Sequence, residues 1–443
     1  MLSNMGVENE TSLGGEVIQV GGVDPPGSVV VIGLGYVGLP LASRAAEVGF
    51  RVTGLDTDEA TVNALNGGVS HVDDISDTEV VSMLAAGFTA TSDPKCLGEA
   101  DVVVICVPTP LSPEHGPNLE AVESAARAAA NHLHPGQLIV LESTTYPGTT
   151  EEVLVPILEL SGLRVGIDVN CAYSPERIDP GNKNFALRNT PKVVGGMTPE
   201  CTDRASAFYR WIVDTVVVAK GVREAEMTKL LENTYRHVNI ALVNEMAKFC
   251  SELNIDLWDA IRCASTKPFG FNAFYPGPGV GGHCIPIDPN YLSHRVRTNL
   301  GYSFRFVELA QEINDGMPAY VARRVQDILN KEGKAVNGSR VLLLGVTYKA
   351  DIADQRGSPS VNVARALEEL GAHVSYHDPY VEHWYLNGHS VRRVDDLPGE
   401  LDQSDVAVLL QAHKAYDREA LGRMDRPILD TRGVLSGPHV TRL

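Results

Sequence analysis

The sequence predicts an α/β protein made of two sheet-containing regions with a helical region between them. Short β-branched runs alternate with helical patterns over residues 28–200 and again over residues 331–443, which is typical of parallel sheets with crossover helices. Between them, residues 223–253 contain neither Gly nor Pro and repeat apolar side chains at helical spacing. A chain of 443 residues is long enough to form these regions with cores of their own.

Composition narrows the functional classes before any motif is considered. The formal net charge of −19 argues against a surface for nucleic acid or an anionic membrane, so an anionic ligand would need a local cluster of cations or backbone amides. No apolar run reaches the roughly 18 residues of a membrane span, and the acidic start does not resemble a secretory signal. Seven scattered cysteines without a Cys-x-x-Cys pair favour reduced thiols in the cytoplasm over disulfides or a metal site.

The first sheet-containing region opens with the pattern of a dinucleotide site. After a polar segment at 1–27, interpreted as a flexible leader, the run 28–33 predicts a buried parallel strand. A Gly-x-Gly-x-x-Gly motif, an Ala-rich helix at about 40–48 and a second strand that ends at Asp56 follow in that order. The motif residues expected at the cofactor are Gly33, Gly35, Tyr36, Val37 and Gly38.

Each part of this motif has a physical task in binding a dinucleotide. Gly33 would form the tight turn, Gly35 would let the pyrophosphate approach the helix N-terminus, and Gly38 would let helix and strand pack closely. Asp56 would accept a hydrogen bond from the ribose 2′-hydroxyl, and because no Arg follows it, NAD is favoured over NADP. The alternative is a tight strand–helix turn that binds no ligand.

The ends of the later strands supply further candidates. These strands are predicted at 101–107, 137–141, 169–173 and 192–195. Ligands of open α/β sheets bind at the carboxyl ends of the strands, so polar residues there are candidates for a site. Those residues are Thr109, Thr144, Glu176 and Arg177.

Residues 223–253 predict a single helix of about thirty residues, long enough to join domains or to pair with a second subunit. Its apolar stripe consists of Leu230, Leu231, Tyr235, Val238, Leu242 and Met246. Lys229 and Asn233 are four residues apart on this helix and share a face. On these residues alone, a solvated surface pair is the more common interpretation.

The stretch 276–282 contains four glycines and two prolines and predicts a loop that brings backbone amides close to a bulky polar group. Cys284 follows this loop, and Asp288 lies four residues further on, so the two would share a face if a helical turn starts there. A thiol at a helix N-terminus has a lowered pKa and is a better nucleophile. The alternative is a buried, inert cysteine.

The last region begins after a linker at 333–339 and repeats the strand–helix–strand plan of the first region without its glycine motif. We therefore expect it to bind something other than a second NAD. Lys349 and Arg356 precede a helix that starts at about Ser358. Two cations at a helix N-terminus could bind a phosphate, and a solvated charged loop is the alternative.

Taken together, these motifs resemble those of the nucleotide-sugar 6-dehydrogenases, the family of UDP-glucose and UDP-N-acetylhexosamine dehydrogenases. The resemblance covers about residues 28–440. Its motifs are Gly-Leu-Gly-Tyr-Val-Gly-Leu-Pro at 33–40, Glu-Ser-Thr at 142–144, Ser-Pro-Glu-Arg at 174–177, Lys229 with Asn233, Gly-Gly-His-Cys at 281–284 with Asp288, and Tyr-Lys at 348–349 with Arg356-Gly-Ser-Pro. It implies an N-terminal Rossmann domain for NAD at 28–200, a central helical dimerisation domain at 201–330 and a C-terminal Rossmann-like domain for the nucleotide sugar at 331–443.

The resemblance also implies a four-electron oxidation. The C6 alcohol of a nucleotide sugar would become an aldehyde, which Cys284 would capture as a thiohemiacetal because an aldehyde cannot directly give a second hydride. A second hydride transfer would leave a thioester, and water would release the uronic acid. Two molecules of NAD would be reduced for each sugar.

The family resemblance assigns the remaining roles residue by residue. Lys229 and Asn233 would stabilise the oxyanion of each tetrahedral stage. Asp288, Thr144 and Glu176 would hold and deprotonate the water. The implied substrate contacts are Glu176, Arg177, Lys229, Asn233, Phe274, Tyr275, Gly279, Gly281, Lys349 and Arg356, with Arg262 reaching into the site of a neighbouring subunit in a homodimer.

One stretch departs from the UDP-glucose branch of the family. That branch has a second acid four residues after the first, whereas this sequence has Pro180 four residues after Glu176. This difference, and His283 before the cysteine, resemble the UDP-N-acetylglucosamine and UDP-N-acetylmannosamine branch, although UDP-glucose or TDP-glucose stays open. Two other functions also stay open: a two-electron β-hydroxyacid dehydrogenase, which has no use for a nucleophilic cysteine, and a non-catalytic sugar-nucleotide sensor.

Overall fold

The computed structural model describes residues 27–110, 116–178, 184–282 and 285–443. Most of the predicted leader, at residues 1–26, therefore lies outside the described residues. The described chain forms two compact units. Of the described residues, the first unit contains 27–110, 117–178 and 184–229, and the second contains Gly116, 230–282 and 285–443.

The first unit is built on an eight-stranded sheet. Its strands are β1 (Ser28–Ile32), β2 (Arg51–Leu55), β3 (Thr89–Thr91), β4 (Val102–Ile105), β5 (Leu138–Leu141), β6 (Asn170–Tyr173), β7 (Lys192–Gly196) and β8 (Val216–Val218). Its helices are α1 (Gly38–Glu47), α2 (Glu59–Asn66), α3 (Asp77–Ala85), α4 (Glu120–Ala130), α5 (Val155–Leu158) and α6 (Pro199–Ile212), with a π-helical stretch (Thr150–Leu154) before α5. The strand order is β3-β2-β1-β4-β5-β6-β7-β8, and only the β6–β7 pair of these is antiparallel.

This order places β1 between β2 and β4, so the direction of winding reverses there and opens a crevice at the carboxyl ends of the strands. Successive side chains of β1 enter two different cores: Val29 and Val31 pack on one face of the sheet, and Val30 and Ile32 pack on the other. Burial on both faces explains why the strand is a continuous apolar run rather than an alternating one.

The sheet of the first unit continues past the predicted domain limit at residue 200. Strand β8 pairs with β7, and helix α6 contributes Phe208 and Tyr209 to a core of this sheet. Strand β8 therefore lies within residues 201–330, the range predicted for the central helical domain. How the functional domains divide at residues 200 and 330 stays a prediction.

The second unit combines helices with a six-stranded parallel sheet. Its helical part contains α7 (Val222–Glu252), which begins in the first unit, and α8 (Leu257–Ala264), α9 (Asp288–Leu300), α10 (Arg305–Asp315) and α11 (Met317–Lys331). Its strands are β9 (Arg340–Leu344), β10 (His373–His377), β11 (Tyr385–Leu386), β12 (His389–Ser390), β13 (Arg392–Arg393), β14 (Val406–Leu409), β15 (Ile428–Asp430) and β16 (Val440–Arg442), and its remaining helices are α12 (Ser360–Glu369), α13 (Leu397–Gln403) and α14 (Arg418–Gly422). The sheet order is β13-β10-β9-β14-β15-β16, with β11 and β12 forming a separate hairpin.

These elements confirm the predicted α/β class, including the long helix, whose 31 residues match the stretch without Gly or Pro. Helix α11 belongs to the core of the second sheet, since Val321 and Val325 pack with residues of β9 and α12.

Among the described residues, no helix is both long and apolar enough to cross a bilayer. Within the same residues, no three His, Cys, Asp or Glu side chains group in a way that could hold a metal ion.

Candidate active site

The glycine motif of the first unit has the geometry that a dinucleotide requires. Gly33 has a φ of +89°, and a Cβ there would lie 2.7 Å from the carbonyl oxygen of Cys106. A Cβ at Gly38 would lie 1.8 Å from the carbonyl oxygen of Gly33, so only glycine lets α1 pack this close to β1. At Gly35, by contrast, none of the described residues has an atom within 4 Å of the Cβ position. The residues present therefore fit a pyrophosphate beside Gly35.

Asp56 lies directly after β2 and is partly buried. Its Oδ2 accepts the backbone N–H of Leu34 at 2.8 Å, and its Oδ1 accepts the N–H of Asp58 at 3.0 Å. These bonds connect the acid to the glycine turn and fix its orientation. Because each carboxylate oxygen has two acceptor positions, the side chain can still accept from a ribose hydroxyl.

The N-terminus of α1 faces the same turn. The first turn of this helix contains no acidic residue, so its partial positive charge is available to a phosphate. Val37 is the N-cap residue, and Tyr36 packs against the core beneath the sheet. Both predicted cofactor residues thus lie at the helix start, although their side chains serve the fold.

The structure brings Thr109 and Thr144 to the same edge of the sheet. They follow the adjacent parallel strands β4 and β5, and both are partly buried. The hydroxyl of Ser143 donates to the carbonyl oxygen of Val107 at 2.7 Å, which joins the two strand ends. This edge is the one at which the glycine motif lies, as predicted for a ligand at the carboxyl ends of the strands.

Glu176 and Lys229 form a buried pair in the first unit. The Nζ of Lys229 lies 3.8 Å from Oε2 of Glu176, and Oε1 of Glu176 accepts the backbone N–H of Ile178. Both side chains are buried, so Lys229 is not a solvated surface cation. Burial raises the pKa of the Glu176 carboxyl above its usual value, while the charges of Lys229 and Lys192 oppose that rise. A buried acid with a perturbed pKa beside a cation is typical of a reaction centre.

A second buried ion pair, which sequence reasoning missed, lies under these strand ends. The Nζ of Lys192 lies 2.8 Å from Oε2 of Glu142, with side-chain exposures of only 4% and 2%. The hydroxyl of Tyr209 donates to the other carboxylate oxygen of Glu142. Glu142 precedes Ser143 and Thr144, so this network fixes the segment that carries the predicted Thr144. The signal available in the sequence was an acid and a lysine at the ends of otherwise apolar strands.

Arg177 is held by the protein itself, because its Nη1 donates to the carbonyl oxygen of Pro191 at 2.6 Å. Its predicted role at the substrate therefore competes with a structural one. Pro180, on which the choice between family branches depends, lies outside the described residues.

In the second unit, Asn233 and Asp288 are in contact, a pairing that the sequence analysis did not predict. The Nδ2 of Asn233 donates to Oδ2 of Asp288 at 2.6 Å, and both side chains are buried. Asp288 is the first residue of α9, so the regular helix begins four residues after Cys284 and not at it. Cys284 and His283 lie outside the described residues.

The glycine-rich loop approaches the protein's own C-terminal region. A Cβ at Gly281 would lie 2.8 Å from Cβ of Tyr348 and 2.9 Å from the carbonyl oxygen of Gly357, and one at Gly282 would lie 3.0 Å from the Tyr348 ring. Gly279 has a φ of +133°, and a Cβ there would meet Pro359 at 3.0 Å. At these three glycines, the group that approaches the backbone closely is part of the protein itself, in the segments at Tyr348 and at 357–359.

Asn244, on α7, anchors the start of this loop. Its Oδ1 accepts the N–H of Gly277 at 2.9 Å, and its Nδ2 donates to Oδ1 of Asn314 at 2.9 Å, with both amides buried. Sequence reasoning missed this contact. The signal would have been a polar residue within the apolar face of the long helix.

The predicted cations of the second unit differ in their surroundings. Lys349 is partly buried, whereas Arg356 is exposed and makes a two-point ion pair with Asp354, with Nε and Nη2 at 2.9 and 2.8 Å from its oxygens. Arg262 is exposed on α8, where it pairs with Asp259. That Arg262 reaches into the site of a neighbouring subunit stays a prediction.

Arg432 is a further cation beside the glycine-rich loop that sequence reasoning missed. Its Nε donates to the carbonyl oxygen of Leu410 at 2.7 Å, and its Nη1 lies 3.1 Å from the Cβ position of Gly277. Burial lowers the pKa of Arg432 to about 10, and Asp430 opposes that shift. No local pattern marks this residue, since the loop that it meets is more than 150 residues away in sequence.

Two aromatic residues of the predicted substrate set stand beside the same loop. Phe274 packs edge-to-face on Tyr235, with ring centres 5.6 Å apart. Tyr275 is 53% exposed and stacks on Trp258, with ring centres 5.7 Å apart and an angle of 12° between the planes. Trp258 covers Gly433, where a Cβ would lie 2.3 Å from the indole ring. One face of Tyr275 thus stacks on Trp258, while the side chain as a whole stays half exposed.

Comparison with known proteins supports the predicted resemblance. Residues 27–213 match the NAD binding domain of the UDP-glucose/GDP-mannose dehydrogenase family, residues 223–316 match its central domain, and residues 342–437 match its UDP binding domain. The UDP-N-acetyl-D-mannosamine dehydrogenase of Yersinia pestis is 37% identical over 426 residues, covering 92% of this chain and 99% of that protein. The UDP-N-acetyl-D-glucosamine 6-dehydrogenase of Pseudomonas aeruginosa is 37% identical over 357 residues, covering 80% and 83%.

A solved structure is similar over the same length. The UDP-D-ManNAc dehydrogenase of Pyrococcus horikoshii superimposes with a TM-score of 0.85 at 32% identity, covering 94% of this chain and 98% of that one. A UDP-glucose dehydrogenase from Pyrobaculum islandicum superimposes with a TM-score of 0.83 at 26% identity. The fold is thus shared by relatives that act on different sugars.

Proposed function

This chain belongs to the UDP-glucose/GDP-mannose dehydrogenase family, and from that premise we propose that it oxidises the C6 alcohol of a UDP-N-acetylhexosamine to the uronic acid. It is an NAD-dependent oxidoreductase. The N-acetylhexosamine is favoured because relatives that cover most of the chain are named for UDP-N-acetyl-D-mannosamine and UDP-N-acetyl-D-glucosamine. UDP-glucose or TDP-glucose is the alternative substrate.

The observation that carries this proposal is the burial of four polar side chains assigned to the reaction, in the pairs Glu176–Lys229 and Asn233–Asp288. Moving charged and amide groups out of water costs free energy unless each is paired. A fold without chemistry to perform would be at least as stable with apolar residues at these positions. Their retention in the interior favours a catalytic use.

In the first stage, the C6 hydroxyl loses a proton and C6 loses a hydride. NAD, bound at the glycine motif, supplies the hydride acceptor. The Lys229 ammonium stabilises the negative charge that develops on the substrate oxygen, and its pairing with Glu176 keeps it oriented in the interior. Because burial raises the pKa of Glu176, its carboxylate is a stronger base than a solvated one.

In the second stage, the thiolate of Cys284 attacks the aldehyde carbon to form the thiohemiacetal, and the loss of a second hydride gives the thioester. Water then breaks the carbon–sulfur bond and releases the uronate and the thiol. Asn233 donates one amide hydrogen to Asp288, which orients the amide and leaves the second hydrogen for an oxyanion. Activation of the water by Asp288, Thr144 and Glu176 is the remaining part of this proposal.

The nucleotide end of the substrate is proposed to bind in the second unit. Lys349, Arg356 and the newly identified Arg432 supply positive charge for the diphosphate, with Arg432 beside Gly277. The exposed face of Tyr275 offers a surface on which a base or sugar ring can stack. Phe274, Gly279 and Gly281, which belong to the same unit, stay in the proposed substrate set. Arg177, in the first unit, stays in that set on the family resemblance alone.

We also propose a cytoplasmic homodimer in which α7 faces a second copy. The helix exposes large apolar side chains along one face, each exposed by 44% or more: Leu231, Tyr235, Leu242 and Phe249. Their spacing of four and seven residues keeps them on one stripe, and burial against a partner would remove it from water. Sedimentation velocity tests this, and a monomer at micromolar concentration would contradict it.

A single assay panel tests the reaction. The panel compares UDP-N-acetylglucosamine, UDP-N-acetylmannosamine, UDP-glucose and TDP-glucose. We expect two NADH per sugar oxidised and the highest rate with one of the two N-acetylhexosamine nucleotides. Cys284→Ala should reduce uronate release by a factor on the order of a thousand, since the nucleophile is lost. One NADH per sugar with Cys284 dispensable would instead indicate a two-electron dehydrogenase, and no NADH with any sugar would indicate a sensor.

A further inference from the structure

We propose that His413 is a positioning residue that holds the loop at 345–356, and with it Lys349, in the conformation that binds the nucleotide end of the substrate. This inference rests on the proposed function. It concerns a histidine to which neither the sequence motifs nor the proposed chemistry assigns a role. Three observations within the second unit carry it.

The first observation is that both ring nitrogens of His413 are occupied in the protein interior. The side chain is fully buried. Its Nδ1 lies 2.9 Å from the backbone nitrogen of Asp351, and its Nε2 lies 3.1 Å from Oδ2 of Asp378. A backbone N–H can only donate, so Nδ1 accepts, and the ring proton is on Nε2, which donates to the carboxylate. His413 therefore connects the loop to the end of β10.

The second observation is the backbone conformation at Asp351. Its φ is +64°, a left-handed conformation that Asp adopts more readily than most residues with a Cβ, usually with the help of local hydrogen bonds. At Asp351 these are the bond from its N–H to His413 and the bond that its Oδ1 accepts from the N–H of Lys414 at 2.7 Å. Two residues before Lys349, the hydroxyl of Thr347 donates to the Lys349 carbonyl oxygen at 2.7 Å. Lys349 is thus fixed from both sides.

The third observation is that Asp378 has no accessible acceptor position for a ligand. It is fully buried, and it accepts the N–H of Val346 at 2.7 Å and that of Tyr380 at 2.8 Å, in addition to His413. An acid at the end of the second strand is the residue that binds a ribose in a dinucleotide domain. Here it is used to hold a histidine, so ligand contacts must come from the loop that the histidine holds.

The position of this loop matters beyond Lys349. Tyr348 packs against Gly281 and Gly282, the residues that precede His283 and Cys284 in sequence. A displaced loop would therefore disturb both the cation and the glycine-rich stretch. A buried His–Asp pair is seldom the most stable way to fill a core, which favours a positioning task over simple packing.

Two amide variants separate the Nδ1 contact of His413 from its Nε2 contacts, which include the hydroxyl of Thr347 at 3.3 Å as well as Asp378. In His413→Asn, the amide oxygen can stand near the place of Nδ1 and accept from Asp351. In His413→Gln, the amide reaches the place of Nε2 and leaves the Asp351 N–H without an acceptor. We expect His413→Gln to raise the Kd for UDP, measured by calorimetry, and the KM for the nucleotide sugar about tenfold, the loss of roughly one ionic contact. We expect His413→Asn to stay within about threefold of the wild type in both constants, and both variants to keep the KM for NAD within the same range.

The control variant is Tyr376→Phe, which removes a buried hydroxyl of the same sheet that donates to the carbonyl oxygen of Glu382 at 3.0 Å. It should lower Tm without changing the Kd for UDP. Equal Kd values for His413→Gln and the wild type would overturn the inference, as would an equal rise in the KM for NAD. The two proposals fail separately, because the Kd for UDP is measured without turnover. An enzyme that oxidises no sugar nucleotide would refute the proposed function, whereas the Kd for UDP of His413→Gln would still decide this inference. When His413→Gln is combined with Lys349→Ala, it should raise the Kd for UDP by less than about threefold over that of Lys349→Ala alone. A full tenfold rise in the double variant would also overturn the inference.

Discussion

The two α/β regions share one backbone plan and use it differently. Both place the first strand between the second and the fourth segment of the sheet, as β2-β1-β4 and as β10-β9-β14. Both follow that strand with a glycine of positive φ, Gly33 at +89° and Gly345 at +77°. In both, an acid after the second strand accepts the N–H of the residue that follows this glycine, Asp56 at 2.8 Å and Asp378 at 2.7 Å.

The two regions differ in whether the turn after the first strand and the acid after the second strand are open or are occupied by other side chains of the protein. Two residues after the first glycine, the first unit has Gly35, with no described atom within 4 Å of its Cβ position, and the second has the buried Thr347. Asp56 is only partly buried, whereas Asp378 is closed off by His413. An open turn and an accessible acid make a dinucleotide site. When both are filled, the same plan becomes a support for ligand-binding loops.

The largest expected effect comes from filling the open turn. Gly35→Val should leave the fold intact, because a Cβ there has open space around it, yet the side chain would occupy the space of the pyrophosphate. We expect NADH binding, measured by fluorescence titration, to weaken on the order of a thousandfold, or about 4 kcal/mol. Thr347→Gly is the matched change in the second unit and should leave NADH binding unchanged. An NADH Kd within threefold of the wild type for Gly35→Val would mean that the cofactor does not approach this glycine.

The next effect concerns two buried carboxyl groups whose pKa values shift in opposite directions. Glu226, at the start of α7, is fully buried and accepts the N–H groups of Gly148 and Thr150 at 2.6 and 2.8 Å. Burial outweighs these bonds and raises the pKa of Glu226 to about 7. For Asp378, burial acts in the same direction but is outweighed by the bonds from His413, Tyr380 and Val346, so its pKa is lowered.

The two groups should therefore give the two units opposite responses to pH. A raised pKa in the folded state means that the stability contributed by Glu226 is full below its unfolded pKa and is lost as the pH rises towards 7. Between pH 5 and 8 the free energy of unfolding of the wild type, relative to Glu226→Gln, should fall by about 2–3 kcal/mol in urea titrations. Relative to Asp378→Asn, the wild type should instead lose stability as the pH falls through the acid range. A difference between wild type and Glu226→Gln that does not change with pH would contradict the assignment.

The sequence predicted those features that depend on short-range patterns. The glycine motif with Asp56, the 31-residue helix and the strand ends with Thr109 and Thr144 are all readable from spacing within about thirty residues. The buried polar pairs found within each unit are long-range: Glu142 is 50 residues from Lys192, and Asn233 is 55 residues from Asp288. No local period encodes such contacts, so the ion pair at Glu142 was missed.

The glycine-rich loop shows a different limit of sequence reasoning. Its composition predicted that backbone amides approach a bulky polar group. Whether that group is a ligand or the protein cannot be read from glycine, because both remove the space for a Cβ. At Gly281 and Gly282 the neighbour is Tyr348. Arg432 and His413 were missed for a related reason, since each acts on a loop far away in the sequence.

The smallest expected effect concerns cofactor binding after substitution of Asp56 or Asp378, the acids that follow the second strand of each sheet. Asp56→Asn keeps an oxygen that can accept the Leu34 N–H, so the turn should persist, but it removes the charge that repels a 2′-phosphate. We expect the KM for NAD to rise about tenfold and the preference for NAD over NADP to fall by a similar factor, or about 1.4 kcal/mol. Asp378→Asn, at the same position in the second unit, should change neither cofactor constant, because its oxygens face only His413 and backbone N–H groups. If Asp378→Asn weakened NAD binding as much as Asp56→Asn did, the two acids would not differ in the way that their burial indicates, and the second region would have to be considered a dinucleotide site as well.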